Sequence, residues 1–285
     1  MSAKKEFKIT LGADPEFAFL DEEARLVVYP KAVRTVRNYS GPEYIGVDGA
    51  GRVAELRPDP SESSTKVVSN LKTLLQKGLE VRPYLTELFW KAGGYAVTEP
   101  LGGHIHIGHS DDIRGTVKYR SYCGKLGKIL SSTVGIISLF LENQKEAIFR
   151  RNSSGYGRFY GEDSVRDQPW GMEWRSLSSW LTSPEVAQGM LSGTKLIALA
   201  CQPDSKELEA GLKLKAPGED LVSSCNSADL IPYLKNALEF LTSLPKWGEC
   251  KHKIVPLLRL IKEGKDWGSE VNMIEAWNLE VPSSV

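Results

Sequence analysis

The chain has no excess of charge of either sign. Its 36 Lys and Arg balance 36 Asp and Glu, so no net positive field argues for a nucleic-acid partner. It has no long hydrophobic run. The longest, VGIISLFL at 134–141, falls well short of the roughly 20 residues that span a bilayer. The start, MSAKKEFKITLG, is basic but lacks an apolar segment, so no signal peptide is expected. Cys123, Cys201, Cys225 and Cys250 are scattered without a CxxC pair, which argues against a zinc framework and for free thiols in a reducing compartment. GxxxxGK[ST] is absent, which excludes a P-loop enzyme, and GxSxG is absent too. There is no internal repeat and no low-complexity tract. A soluble, cytoplasmic, globular protein with no membrane or nucleic-acid partner is the expectation.

Four short segments each place two chemically capable residues two positions apart in a strand-like stretch. They are Asp14 and Glu16 in ITLGADPEFAFL, Glu55 and Arg57 in GRVAELRP, His104 and His106 in GGHIHIG, and Glu173 and Arg175 in GMEWRSL. Residues i and i+2 of a strand share a face. Each pair alone has a plainer structural reading. Asp14 and Glu16 flank Pro15, which cannot donate to a ladder and suggests an exposed edge or bulge. Glu55 with Arg57 reads as a cross-strand salt bridge. The two imidazoles suit a metal, a phosphate or a hydrogen-bonded core pair. Glu173 and Arg175, set among Trp170, Trp174 and Trp180, read equally as a buried ion pair.

Taken together the pairs say more. Two carboxylates about 4 Å apart repel by roughly 4 kcal/mol at an effective dielectric of 20. Asp14, Glu16, Glu55 and Glu173 therefore converge only if they are protonated or share cations, and oxygen-rich sites suit Mg²⁺ or Mn²⁺. Arg150, Arg151, Arg158 and Arg166 fall in RRNSSGYGRFYGEDSVRDQ, read as a Gly-rich loop over 150–168 that faces phosphate. The combined pattern is a divalent-metal nucleotide site built without a P-loop.

The order of elements completes the picture. Short strands fill 6–60, with a hairpin turning at Asp48-Gly49 and Gly51. A helix over 62–91 is capped by Ser61, kinked at Pro83 and ended by Gly93-Gly94. A strand pair runs from YAVTEPLGG into HIHIG, a long helical region spans 111–147 from Asp111 or Asp112, and WGMEWRSLSSWL returns to strand. Helices are expected over 184–201, 226–243 and 253–264. This is an α+β pattern with an antiparallel sheet.

GADPEF, VDG…AELRP, GGHIHIG and MEWRSLSS, in this order, resemble the phage- and prophage-encoded carboxylate–amine ligases of the COOH–NH2 ligase type 2 group. These are similar to the wider glutamine synthetase and glutamate–cysteine ligase superfamily. The resemblance covers about residues 8–182. It implies one ligase domain over 1–285: a curved antiparallel sheet flanked by helices, with a helical part over 183–285. By this resemblance Asp14, Glu16, Glu55, His104 and Glu173 bind metal. His104, His106, Arg150, Arg151, Arg158 and Arg175 bind nucleotide, and Arg175, Arg57 and Arg158 act on the transferring group. One departure is Asp14, where glutamine synthetases carry Glu. The implied chemistry is an acyl phosphate formed from ATP and a small-molecule or peptide carboxylate, then displaced by an amine. Asp48, Glu162 and Asp163 are candidates for the base, and the 150–168 loop for a cover that excludes water. The alternatives are a metal-dependent amide hydrolase and a non-catalytic binding protein that keeps the fold. The acid, the amine and the oligomeric state are not legible.

Overall fold

The computed structural model describes residues 8–27, 45–48, 52–109, 117–153 and 157–282. Its frame is an eight-stranded sheet in which every pairing is antiparallel. The strands are β1 (Ile9–Leu20), β2 (Leu26–Val27), β3 (Gly46–Val47), β4 (Ala54–Glu55), β5 (Phe89–Lys91), β8 (Gly103–His109), β9 (Val165–Gln168) and β10 (Gly171–Trp174), while β6 (Tyr95–Ala96) and β7 (Glu99–Pro100) form a separate pair. The order is β3-β4-β1-β8-β10-β9, and β2 and β5 pair with the far half of β1.

β1 is therefore central, which corrects the expectation of an edge at Pro15. The proline instead marks where β1 changes partners. Ile9 to Pro15 pair with β8, and Glu16 to Leu20 pair with β4, β5 and β2. The missing N–H costs little at such a switch, and the Pro15 carbonyl still accepts from Leu56 N–H at 3.2 Å.

Alternation sorts the side chains. Leu11, Ala13, Phe17, Ile105, Ile107, Met172 and Trp174 join one buried cluster with Val67, Leu71 and Leu75 of the helix Ser64–Val81. Residues between them in sequence face the other way. The helix Pro184–Ala200 packs in the same apolar layer through Val186, Met190 and Leu191. Its start is written in the sequence. The Ser183 side chain accepts from Val186 N–H at 3.2 Å, Pro184 occupies the first turn, and Glu185 opposes the dipole. Ser183→Ala should cost about 1 kcal/mol in urea unfolding with the slope unchanged; no loss would show that the cap is idle.

Several boundaries move. The helix expected over 62–91 stops at Val81, with Ser63, not Ser61, as its cap. A 3₁₀ turn follows over Pro83–Glu87, and Phe89–Lys91 is a strand against β1. Gly93-Gly94 therefore ends no helix. The region expected over 111–147 is a helix Val117–Leu130, a π turn Ser131–Gly135, a short helix Ile136–Leu139 and a separate helix Gln144–Ser153. The expected cap at Asp111 or Asp112 and the turn residues Gly49 and Gly51 lie outside the described residues. Two late helices come close to their expected spans, Pro184–Ala200 and Ser227–Ser243, while the last starts earlier, at Trp247, and ends at Lys262.

Candidate active site

The face of the sheet opposite the core carries the predicted pairs. β1 supplies Asp14 and Glu16, β4 supplies Glu55, β8 supplies His104 and His106, and β10 supplies Glu173. Pairing sets them side by side: Asp14 opposite His104, Glu16 opposite Glu55, and Glu173 opposite His106. Glu16, Glu55, His104 and Glu173 are buried, which is rare for ionisable groups without compensation.

Two clusters of possible metal ligands result. Asp14, His106 and Glu173 offer one ligand atom each within 4.8 Å of one another, and so do Glu16, Asp48 and Glu55. Asp48 was expected only as a base candidate. The hairpin of β3 and β4, closed by Asp48 N–H donating to Val53 O at 3.2 Å, brings it beside Glu16 and Glu55.

The donor atoms fit a divalent cation. Asp14 Oδ1 lies 3.2 Å from both His104 Nδ1 and His106 Nε2. Carboxylate oxygens and imidazole nitrogens gathered at this spacing suit a shared ion. Electrostatics agree. Burial pushes the Glu55 carboxyl up to about 8, Asp14 adds to this, and Arg57 works against it. Burial likewise raises Glu16, although His104, Arg150 and the Gly102 N–H pull it back. Burial also disfavours the Asp14 anion, but the two imidazoles outweigh it and hold Asp14 well below the usual carboxylate range. For His104 burial disfavours the cation, and Asp14 reverses that. Two carboxyls that resist ionisation next to one that ionises readily form a site short of positive charge.

Gly102 explains one approach. Its N–H donates to Glu16 Oε2, and a Cβ there would come within 2.6 Å of His104 Nε2. Only glycine lets the backbone reach the acid past the imidazole.

The arginines divide. Arg175 Nε lies 3.1 Å and Arg166 Nη1 3.3 Å from the two oxygens of Glu173, and Gln168 donates to Oε2 at 2.7 Å. Arg57 Nε lies 2.6 Å from Glu55 Oε1. Arg150 and Arg151 are corrected in place: both lie in the helix Gln144–Ser153, not in a loop, and both are buried. Arg150 donates to the Arg175 carbonyl at 3.1 Å, and its charge reaches Glu16 and His104. Arg151 points elsewhere. It forms a two-pronged pair with Glu142 at 2.8 and 3.0 Å and lies over the Phe159 ring. Arg158 is exposed, its carbonyl held by Ser176 Oγ at 3.2 Å. Glu162 and Asp163 sit exposed in the 3₁₀ turn Glu162–Ser164. Residues 154–156 of the expected covering loop lie outside the described residues.

Sequence reasoning also missed Trp170. Its ring lies tilted against His106 with centroids 4.7 Å apart, at the turn between β9 and β10.

A sheet face with this ligand set suggests a metal-assisted transferase or ligase, and the comparisons decide the family. Residues 11–279 match the family described as Phage phiEco32-like COOH.NH2 ligase-type 2, and the chain belongs to it. The fold is glutamine synthetase-like. GmaS without ligand aligns with 91% of this chain and 69% of its own at 14% identity and a TM-score of 0.56. A GmaS/ADP complex aligns over 91% and 70% at 11% identity and a TM-score of 0.53. A bifunctional glutathione synthetase from Pasteurella multocida aligns over 94% of this chain and 52% of its own, at 15% identity and a TM-score of 0.47. No curated protein matches the sequence. Among the described residues no helix is long and apolar enough to cross a membrane.

Proposed function

We propose that this chain joins a carboxylate to an amine at the expense of ATP, through an acyl phosphate, with Mg²⁺ or Mn²⁺ bound on the acidic face. One observation carries the reading: two three-ligand clusters, Asp14/His106/Glu173 and Glu16/Asp48/Glu55, stand side by side on one sheet face with Arg175, Arg166 and Arg57 around them. The family supports carboxylate–amine ligation, and a protein of the same fold, GmaS, is known as an ADP complex. The family description, which names a phage-like type, is in keeping with a phage-encoded enzyme.

The residues divide the work. Asp14, Glu16, Glu55, His104, His106 and Glu173 hold the cations, and Asp48 joins them as a ligand rather than serving as the base. Bound there, divalent ions would neutralise the triphosphate and polarise the γ-phosphoryl group. Arg175, oriented by Glu173, meets charge that develops on that group, as does Arg57 from the opposite end. Arg150 counters the buried acids and fixes the Arg175 backbone. The carboxylate substrate attacks the γ-phosphorus and ADP leaves; the amine nitrogen then displaces phosphate, its proton departing with the phosphate leaving group, to give the amide.

Calorimetry should show ATP binding only when Mg²⁺ or Mn²⁺ is present, and ATP with a cognate acid and hydroxylamine should give a hydroxamate. Amide hydrolysis without ATP, or metal-independent nucleotide binding, would contradict the proposal.

The acids also predict a pH effect. In the metal-free protein Glu55 favours its proton up to about 8, against a usual value of 4.5. Its folded value is raised, so its contribution to stability is full below 4.5 and is lost as pH rises through about 8. A cation replaces that proton, so the rise in melting temperature caused by MnCl₂ should be larger at pH 8.5 than at pH 6. An equal rise at both pH values would remove Glu55 from the ligand set.

A further inference from the structure

The outer strand β9 and the turn after it carry three residues at alternate positions, Arg166, Gln168 and Trp170. Each touches a member of the cluster Asp14/His106/Glu173. Arg166 faces Glu173 directly in the antiparallel register. Gln168 pairs with Gly171, so it reaches Glu173 as a diagonal neighbour. Trp170 lies beyond the end of the strand, against His106. The other cluster takes its partners elsewhere, from the Gly102 N–H on Glu16 and from Arg57 on Glu55.

Contacts on Glu173 divide its two oxygens. Oε2 accepts from the Gln168 amide at 2.7 Å and lies 3.3 Å from Arg166 Nη1, which together take up its lone pairs. Oε1 has Arg175 Nε at 3.1 Å and keeps a lone pair. It lies 3.8 Å from His104 Nδ1, which is itself 3.2 Å from Asp14 Oδ1. The outer strand thus ties down one oxygen and leaves the other on the side of Asp14. An amide suits this task better than a further cation. Arg166 and Arg175 already attend the Glu173 anion, and a third positive group would repel a divalent ion. Gln168 donates without adding charge.

His106 is confined in a similar way. Its partner across the β1–β8 ladder is Gly12, where a Cβ would come within 3.5 Å of Nδ1. Trp170 closes the opposite flank, from the β10 side of β8. The Trp170 backbone is anchored in turn. Its carbonyl accepts from the His109 N–H at 3.2 Å, and Gly171, where a Cβ would strike the Ile107 carbonyl, lets the turn lie close on β8. The imidazole is held with Nε2 3.2 Å from Asp14 Oδ1.

We infer that Gln168 and Trp170 are positioning residues for the cation held by Asp14, His106 and Glu173, and that this ion is fixed from the edge of the sheet independently of the ion at Glu16, Asp48 and Glu55. The inference rests on the metal-dependent ligation proposed above and adds that the two ions are held by separate means. Partners that orient a ligand without touching the metal change metal affinity by about ten- to a hundredfold when removed.

Titration of Mn²⁺ into the full chain without nucleotide, followed by the electron paramagnetic resonance signal of the free ion, tests it. Wild type should bind two ions. Gln168→Met keeps the length of the side chain and removes the donor, so one site should weaken by about tenfold or more while the other holds its affinity. Trp170→Leu should weaken the same site, so the double variant still leaves one site intact. Trp170→Phe keeps an aromatic ring on the imidazole and should stay near wild type. Gln168 is half-buried at the sheet edge, so the metal-free melting temperature of Gln168→Met should match wild type. Equal weakening of both sites, or two sites unchanged in Gln168→Met and Trp170→Leu, would overturn the inference and leave the ligase reading standing. No Mn²⁺ bound by wild type would overturn both.

Discussion

Glu16→Gln is expected to abolish turnover while leaving the fold intact. The reasoning turns on the burial of this carboxyl. Without metal, Glu16 already leans toward its protonated form. An amide has the same shape as that form, and its oxygen can still accept the Gly102 N–H. The metal-free melting temperature should therefore stay level or rise slightly. The cation side of the balance behaves oppositely, since an amide oxygen carries no charge to offset a divalent ion. If the ion supplies about 4 kcal/mol of transition-state stabilisation, turnover falls by roughly a thousandfold. The stabilisation by MnCl₂ should shrink in parallel. Glu173→Gln should follow the same course, with Arg175 losing its orienting anion as well. Full activity in either variant would overturn the assignment of the acids as ligands.

Arg151→Met is expected to do the reverse, damaging the fold and sparing nucleotide binding. The Arg151 and Glu142 side chains are both fully buried, 2.8 Å apart. Glu142 also accepts from Ser138 and Ser178 hydroxyls at 3.0 and 2.7 Å. Removing the guanidinium leaves a charge in the interior with only neutral donors around it, a loss of about 3–5 kcal/mol. In a protein of this size the melting temperature should drop by roughly 10 °C. Glu142→Leu added to Arg151→Met should recover much of it, because the stranded charge is then gone. Mg-ATP affinity below the transition should match wild type. Lost affinity with unchanged stability would return Arg151 to the phosphate site.

The contrast shows what was legible beforehand. The i,i+2 pairs could be read because strand alternation is local and their apolar neighbours mark the other face. Ile105 between His104 and His106, and Trp174 between Glu173 and Arg175, define the core side without any knowledge of the fold. The two neighbouring arginines could not be separated that way. The Gly- and Ser-rich stretch that follows Arg150 and Arg151 makes both read as part of one loop. In fact they extend a helix, where successive residues point about 100° apart, so one reaches toward the site and the other into the core. Asp48 was underestimated because its role depends on strand order, which brings β3 next to β4 and β4 next to β1. The strand Phe89–Lys91 was hidden because a short apolar run beside a helix carries no period of its own.

The alternation in β8, and in the part of β1 that pairs with it, also limits how this protein can change. Removing a single residue from the middle of β8 would swap isoleucine for imidazole along the rest of the strand, placing ring nitrogens in oil and methyl groups against the carboxylates. No partly active intermediate lies on that route. Insertions and deletions should therefore accumulate in the connecting segments, while these two ribbons tolerate only substitutions or length changes in even steps.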